Sequence, residues 1–329
     1  MATYIVRRLA AMLGMLIALS IIVFLIFSAL PVDPARLTCG KSCSPSIIAA
    51  NRIRLGLDKP LVTQYESFVK AMFVGRDYGD GTATFHCGAP CLGYSFRQGA
   101  EVTTLITNTL PVTAQIAVGA FLLWMVFGIA SGIYASLRRG TWKDRSVMGI
   151  ALIGYSFPSF FIGLIFIFFI QIKLQLIGFG GYVPFSTDPK AWFVGLLGPW
   201  ITLAILYAAF YARLTRNQML ETMGEDFIRT ARAKGLKEGR VIGKHGLRAG
   251  LTPLVTAAGL DLAGLLGGAI VTEQVFNMPG MGRLAVQSVI DSDLPIITAV
   301  TLLVATFIIV ANLIVDVLYA VVDPRVRLT

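Results

Sequence analysis

Charged side chains are scarce in this sequence: they make up 14% of its 329 residues, where a soluble domain carries about a quarter. Hydrophobic residues make up 56%. A chain of this length cannot hide that much apolar surface in a water-soluble core, so lipid must cover much of it. Histidine is scarcer still, with only His86 and His245. That leaves a His-based catalytic triad almost no raw material, and His245, set among basic residues, reads as a solvated side chain. A nucleotide-binding loop is also missing. The nearest segment, Gly239-Arg-Val-Ile-Gly243-Lys244-His245, lacks one spacer residue and the Ser/Thr that would hold magnesium, and it does not follow a strand. Any ATP must therefore be handled by another chain. The apolar runs carry no clustered metal or nucleophile constellation, which argues against an intramembrane enzyme. There is no solenoid repeat and no low-complexity tract.

What is present is long apolar runs. A helix needs about 20 apolar residues to cross a bilayer, and six candidates satisfy this: 9–30, 104–136, 147–172, 192–212, 253–272 and 296–320. Helices are the natural solution because they satisfy their own backbone hydrogen bonds where lipid cannot. Arg7 and Arg8 precede the first run as they would in a signal peptide. The run is about twice the usual signal length, however, and no A-x-A site follows, so it reads as a retained first helix. Pro111 is expected in the first turns of the second span, where a missing N–H costs little. Pro158 is expected to kink the third.

The net charge of +10 invites a nucleic-acid reading, but the basic residues sit in loops between apolar runs. They read as topology, with no nucleic-acid partner. Arg7, Arg8, Arg138, Arg139, Lys143, Arg145, the segment 213–252, and Arg325 and Arg327 fall on one side. Short loops on the other side hold only Lys173, Lys190 and Arg283. The basic side is cytoplasmic, so both termini are expected inside a multi-pass cell membrane protein in contact with lipid. The expected organisation is 1–30 for the N-terminus and first helix, 31–103 for an extracytoplasmic cysteine-containing loop domain, 104–320 for a five-helix core, and 321–329 for a tail. The loop domain is expected to hold short helices near 45–56 and 60–74, then a Gly-rich stretch from 75 to 99.

The cytoplasmic loop 213–252 holds the most informative segment, Glu221-Thr-Met-Gly-Glu225-Asp226-Phe227-Ile228-Arg229-Thr230-Ala231-Arg232-Ala233-Lys234-Gly235-Leu236. Acidic residues precede basic ones, as suits a helix dipole. Gly235 fits a helix C-terminus, with a second helix from about Lys237. Phe227, Ile228, Ala231 and Leu236 are expected to form an apolar face. Such a helix-turn-helix fits either a groove on a soluble partner or the lipid surface, and periodicity does not separate the two.

The stretch Asp226 to Leu236 resembles the EAA loop of ABC importer permeases in its peptide-transporter form, through Arg229, Thr230, Ala231 and Gly235. Its first two positions depart from the literal Glu-Ala. The closing apolar-Pro element, Leu251-Thr252-Pro253, comes several residues later than in the general consensus. The resemblance runs along most of the chain: Tyr4-Ile-Val-Arg-Arg-Leu9, Leu30-Pro-Val-Asp-Pro34, Arg54-Leu-Gly-Leu-Asp-Lys-Pro-Leu-Val-Thr-Gln-Tyr65, Thr109-Leu-Pro111, Gly154-Tyr-Ser-Phe-Pro-Ser159, Val275-Phe-Asn-Met-Pro-Gly-Met-Gly-Arg283, Asn312-Leu-Ile-Val-Asp-Val-Leu-Tyr319 and Asp323-Pro-Arg325. In order and spacing the set resembles dipeptide, oligopeptide and nickel-type permeases.

That resemblance implies an all-α membrane protein with six transmembrane helices of the type I ABC importer permease kind. It implies a transporter subunit without catalytic residues, half of a pathway for dipeptides or oligopeptides. Nickel chelates, glutathione or another small ligand are the alternatives, and a self-sufficient secondary transporter is a rival class. The implied partners are a homologous second permease subunit, two ATPase subunits that hold ATP and magnesium, and an extracytoplasmic substrate-binding protein. This chain itself is expected to hold no cofactor. The coupling loop would be Glu225, Asp226, Phe227, Arg229, Thr230, Ala231, Arg232 and Gly235. The region of Phe276, Pro279, Gly280 and Met281 is expected near an outer gate or binding-protein contact.

Asp261 and Glu273, with Asn312, are the candidate polar residues of the pathway. A carboxylate within the run containing Asp261 is costly unless it faces a cavity or a partner. Asn312 and Asp316 share a helix face. Gly259, Gly264, Gly267 and Gly268 suggest close helix packing. Cys39, Cys43, Cys87 and Cys91 all fall in the extracytoplasmic loop. Four thiolates, or three with His86, would suit a metal. The oxidising side of a membrane favours two disulfides and no metal. Local pairing, Cys39–Cys43 and Cys87–Cys91, is expected, with cross-pairing left open.

Overall fold

A computed structural model of the chain describes residues 2–29, 34–37, 44–78, 85–178 and 181–322. These form two compact units. One comprises Thr113–Met278 and the residues from Ala311 onward; the other comprises Ala2–Val112 and Pro279–Val310. Two of the three divisions fall inside long helices, so those helices contribute to both.

The second unit opens with α1 (Ala2–Ala29), followed by α2 (Pro34–Leu37), α3 (Pro45–Leu55) and α4 (Leu61–Val74). Two of these are the short helices read near 45–56 and 60–74. Ser44 caps α3 by accepting from the Ile47 N–H, and Gly56, at φ +69°, ends it. Tyr65 and Phe68 of α4 pack on Phe24 of α1, and the Tyr65 hydroxyl meets Ser20 at 2.7 Å. The Gly-rich stretch is not all coil. It forms two small antiparallel hairpins, β1 (Arg76–Tyr78) with β2 (Phe85–Cys87), and β3 (Tyr94–Ser95) with β4 (Ala100–Glu101). Tyr78, Cys87, Cys91 and Ala71 make their core. These hairpins add a little β structure to an otherwise helical chain.

Long helices follow: α5 (Val102–Ser136), α6 (Trp142–Ser156), α7 (Ser159–Phe166) with a π-helical continuation (Ile167–Lys173), and α8 (Pro189–Met223). Then come α9 (Asp226–Ala233), α10 (Glu238–Arg240), a π-helical turn (Val241–Gly246), α11 (Leu247–Gly250), α12 (Thr252–Leu266), α13 (Ile270–Val275), α14 (Met281–Ile290) and α15 (Leu294–Val322).

Among the described residues, four helices are long and apolar enough to cross a membrane: Val6–Ile26, Val102–Ser136, Pro189–Met223 and Leu294–Ile314. Two bent pairs bring the number to as many as six. These pairs correct the simpler picture. Trp142–Ser156 and Ser159–Lys173 meet at 99°, so the third run is two helices set at a sharp break rather than one kinked helix. Pro158 removes the N–H that would continue the ladder and forces Phe157 into the extended region, φ −91° and ψ 135°. The run 253–272 is also discontinuous. It ends as a helix at Leu266, where Gly268 adopts φ +125°, a conformation that only glycine enters freely. Its upstream partner, Glu238–Gly250, meets Pro253–Leu266 at 53°.

Other expectations shift. α8 continues to Met223, so the first part of the segment 213–252 is a helical extension of the fourth apolar run. Pro111 lies inside α5, not in its first turns, because the helix starts at Val102. Close packing by small residues occurs, but on α5 and not where Gly264 sits, which has open space around it. A Cβ on Gly119 would stand 2.1 Å from the Trp200 ring, and one on Gly132 would stand 2.5 Å from Thr215 Cβ. Those glycines let α5 and α8 approach closely.

Candidate functional site

The segment after α8 is built around one short helix. In α9, Ile228 and Ala231 are buried, and with Val241 they form a small core against Met223 and Leu236. Phe227 does not join them. It is 45% exposed, because one residue along a helix turns about 100° away from the buried stripe. The expected apolar face is thus corrected: Ile228, Ala231 and Leu236 face in, while Phe227 faces out. Glu225, Asp226, Arg229, Thr230 and Arg232 are exposed.

Polar contacts fix this turn. The Thr230 hydroxyl donates to the Asp226 carbonyl at 2.9 Å. Arg229 reaches Asp226 at 3.3 Å. Arg232 clamps Glu238 with two hydrogen bonds, at 2.7 and 3.2 Å, joining the end of α9 to α10. Gly235 takes φ +73° just past the last turn, the left-handed C-terminal position that glycine fills without strain. The second helix does start after Lys237, which caps α10. The result is a helix-turn-helix with an outward face of one aromatic ring and several charges.

A second constellation lies inside the same unit. Asp261, on α12, accepts a hydrogen bond from the Tyr211 hydroxyl of α8 at 2.7 Å. It lines a cavity of about 580 Å³ that Tyr155, Phe157, Pro158, Tyr207 and Phe210 also line. The cavity sits at the 99° break between α6 and α7. Trp124, fully buried, stacks on Tyr207 with centroids 4.5 Å apart. Asp261 therefore satisfies both halves of its expectation, a cavity and a polar partner within this chain.

Glu273 does not behave as expected. It has no exposed surface, and Thr113 donates to its Oε1 at 2.8 Å. Its carboxylate is enclosed where α13 packs on α7 and α8, held by Thr113 of α5 rather than open to a cavity. Phe276 is buried too, with its ring against Gly198: a Cβ there would lie 2.4 Å from Phe276. In the other unit Met281 is fully buried, packed with Val102, Ile106 and Ile296, and Gly280 is buried while Pro279 is exposed. Asn312 is exposed on α15, and the Asp316 side chain lies outside the described residues. Cys87 and Cys91 are joined as a disulfide. Cys39 and Cys43 lie outside the described residues, and no group of three His, Cys, Asp or Glu suited to a metal occurs among the described residues.

Sequence reading missed one feature here. Asp144, 3% exposed, receives both Arg216 Nε at 2.6 Å and Nη2 at 2.8 Å, and also the Gly140 N–H at 3.0 Å. A signal existed: Asp144 is the lone acid among Arg138, Arg139, Lys143 and Arg145, and stands three residues after the helix cap Thr141.

Long apolar helices, two sharply bent helix pairs and an exposed helical turn are the features of a multi-pass membrane protein. The chain belongs to the family of binding-protein-dependent transport system inner membrane components, whose model matches residues 124–328, with the N-terminal model of such membrane components matching 1–117. A putative peptide transport system permease protein of Brucella abortus is 36% identical over 99% of both chains. The glutathione transport system permease protein GsiC of Escherichia coli K12 is 38% identical over 99% of both chains. Among solved structures, an inward-facing form of the MetNI methionine ABC transporter aligns with a TM-score of 0.53 and 21% identity, over 67% of this chain and 97% of that one. The fold is thus that of a type I importer permease, and the chain is a multi-pass inner-membrane transporter subunit rather than an enzyme, working with separate ATPase and substrate-binding partners.

Proposed function

We propose that this chain forms half of the pathway of an ATP-driven peptide importer, beside a homologous permease subunit, with both termini cytoplasmic. The outward face of α9 carries this reading. Phe227 is exposed where its helical neighbours Ile228 and Ala231 are buried, and an aromatic anchor ringed by charge suits a protein groove. One of two ATPase subunits, which hold ATP and magnesium, seats this face through Glu225, Asp226, Phe227, Arg229, Thr230 and Arg232, while Gly235 sets the turn. Closure of those subunits moves α9 and, through α8 and α12, switches the pathway from outward to inward access. The region of Phe276, Pro279, Gly280 and Met281 supports the outer mouth, where Pro279 offers the exposed contact for a binding protein. The substrate reading rests on the similarity to peptide permeases; the similarity to GsiC favours glutathione, itself a tripeptide, as a second candidate.

The test is a reconstituted complex with its ATPase subunits and binding protein, assayed with a panel of dipeptides, oligopeptides and glutathione. ATP-dependent uptake of a peptide supports the reading. Gly235→Asp is expected to let ATP hydrolysis continue while uptake falls; unchanged uptake in that variant removes the coupling role.

A further inference from the structure

We infer that the cavity at the α6–α7 break is a transient binding site for a primary ammonium group, with Asp261 as its counter-charge and a cage of aromatic rings around it.

The lining is chemically lopsided. Tyr155, Phe157, Tyr207 and Phe210 supply aromatic rings, and Asp261 supplies the one carboxylate. No Lys, Arg or His is among the described lining residues. Aromatic faces attract cations through their quadrupole, and a carboxylate inside a membrane bundle is costly unless a partner or a passing ligand needs it. Tyr211 engages only one oxygen of Asp261. The other has no partner among the described residues, so the acid keeps an acceptor free. The cavity, about 580 Å³, has the size of a small-molecule site and holds a short peptide or amine.

Its position gives the site a use. The lining joins residues 155–158 at a broken span to α8 and α12, so rearrangement at the break alters the cage. Arg213, one turn beyond Phe210 on α8, lies over the Tyr155 ring at 5.1 Å. It places a cation on a ring of the same lining, a counterpart for the carboxylate of a zwitterionic ligand. Taking the ligand to be a peptide's α-amino group rests on the importer reading above; binding of an ammonium group by the cavity does not.

The experiment therefore has two arms. In the first, the detergent-purified complex is titrated with alanyl-alanine amide and with its N-acetylated form, following intrinsic tryptophan fluorescence, to which Trp124 reports because it stacks on Tyr207. A saturable change with the free amine, at least tenfold weaker with the acetylated form and in Asp261→Asn, supports the site. Tyr211→Phe, which removes the hydrogen bond but keeps the carboxylate, is expected to bind within about threefold of the parent chain. No saturable change, equal response to both ligands, or equal loss in Asp261→Asn and Tyr211→Phe overturns it. The second arm measures peptide uptake in proteoliposomes. Absence of ATP-dependent uptake by the parent complex counts against the importer reading alone, because the first arm needs no ATP.

Discussion

Arg216 of α8 grips Asp144 of α6 with two hydrogen bonds, at 2.6 and 2.8 Å, while Asp144 also accepts from the backbone of Gly140. The pair is well covered, with side-chain exposures of 22% for Arg216 and 5% for Asp144. One acid thus holds a tight turn and a neighbouring helix together.

Breaking that pair from one side leaves an uncompensated charge. Asp144→Ala is expected to destabilise the purified chain by about 3 kcal/mol. Joint replacement of Asp144 and Arg216 by Asn and Met should cost less than the sum of the single changes. Thermal unfolding in detergent, arranged as a double-mutant cycle, reads this directly, and strictly additive effects would remove the coupling.

Neighbours in sequence should behave oppositely in α9. Ile228 is fully buried, so Ile228→Ala is expected to loosen the loop by about 2–4 kcal/mol. Phe227 is exposed, so Phe227→Ala should leave thermal stability within about 0.5 kcal/mol yet sharply reduce co-purification of the ATPase subunits. A large stability loss in Phe227→Ala would contradict the outward orientation.

The carboxyl of Asp293 is buried beside Ser95, whose hydroxyl donates to it, and burial pushes its pKa above the ordinary carboxylate value despite that bond, the Ile296 N–H and nearby Arg97. A raised acid pKa means the folded state holds the proton more tightly than the unfolded one. The resulting stabilisation is fully present below the unfolded value near 4 and is lost as pH rises through the folded pKa. Hydrogen exchange across residues 93–101, corrected for intrinsic rates, should therefore show better protection at mildly acidic pH than at pH 7. Asp293→Asn is expected to flatten that dependence.

The Cys87–Cys91 bridge closes a very short loop, so its loss should cost about 2 kcal/mol by chain entropy. Reduction is expected to expose residues 85–95 to protease while the long helices stay protected. Two fewer free thiols before reduction than after, localised to the 85–95 peptide by mass spectrometry, would accompany this; free thiols at both positions in the native chain would refute it.

The relation between residue pattern and structure differs from element to element. α1, α5, α8 and α15 were legible because each carries enough apolar residues to span lipid whatever its neighbours do. The third and fifth runs look equally apolar, yet both are broken, since hydropathy counts side chains and does not register that Pro158 and Gly268 interrupt the backbone ladder. Gly235 was legible as a turn because only glycine takes its φ cheaply. Phe227 was not, because composition made it part of an apolar face whereas the 3.6-residue period, combined with the position of Val241, put it outside. Asp261 was legible as an oddity in an apolar run, but its cavity was not, since Tyr155 of α6 and Tyr207 of α8 come from helices far from α12 in the chain.

The sequence by itself determined that the protein lives in a membrane and that a helical turn closed by Gly235 follows its fourth span. Those properties depend on local composition and on short-range backbone preference. Only the tertiary structure decided that Glu273 accepts from Thr113, that Asp144 answers Arg216 across 72 residues, and that Asp261 accepts from Tyr211 and shares a cavity with aromatic residues. Each of those depends on which helix faces touch, and that is set by packing between distant segments, a quantity no window along the chain contains.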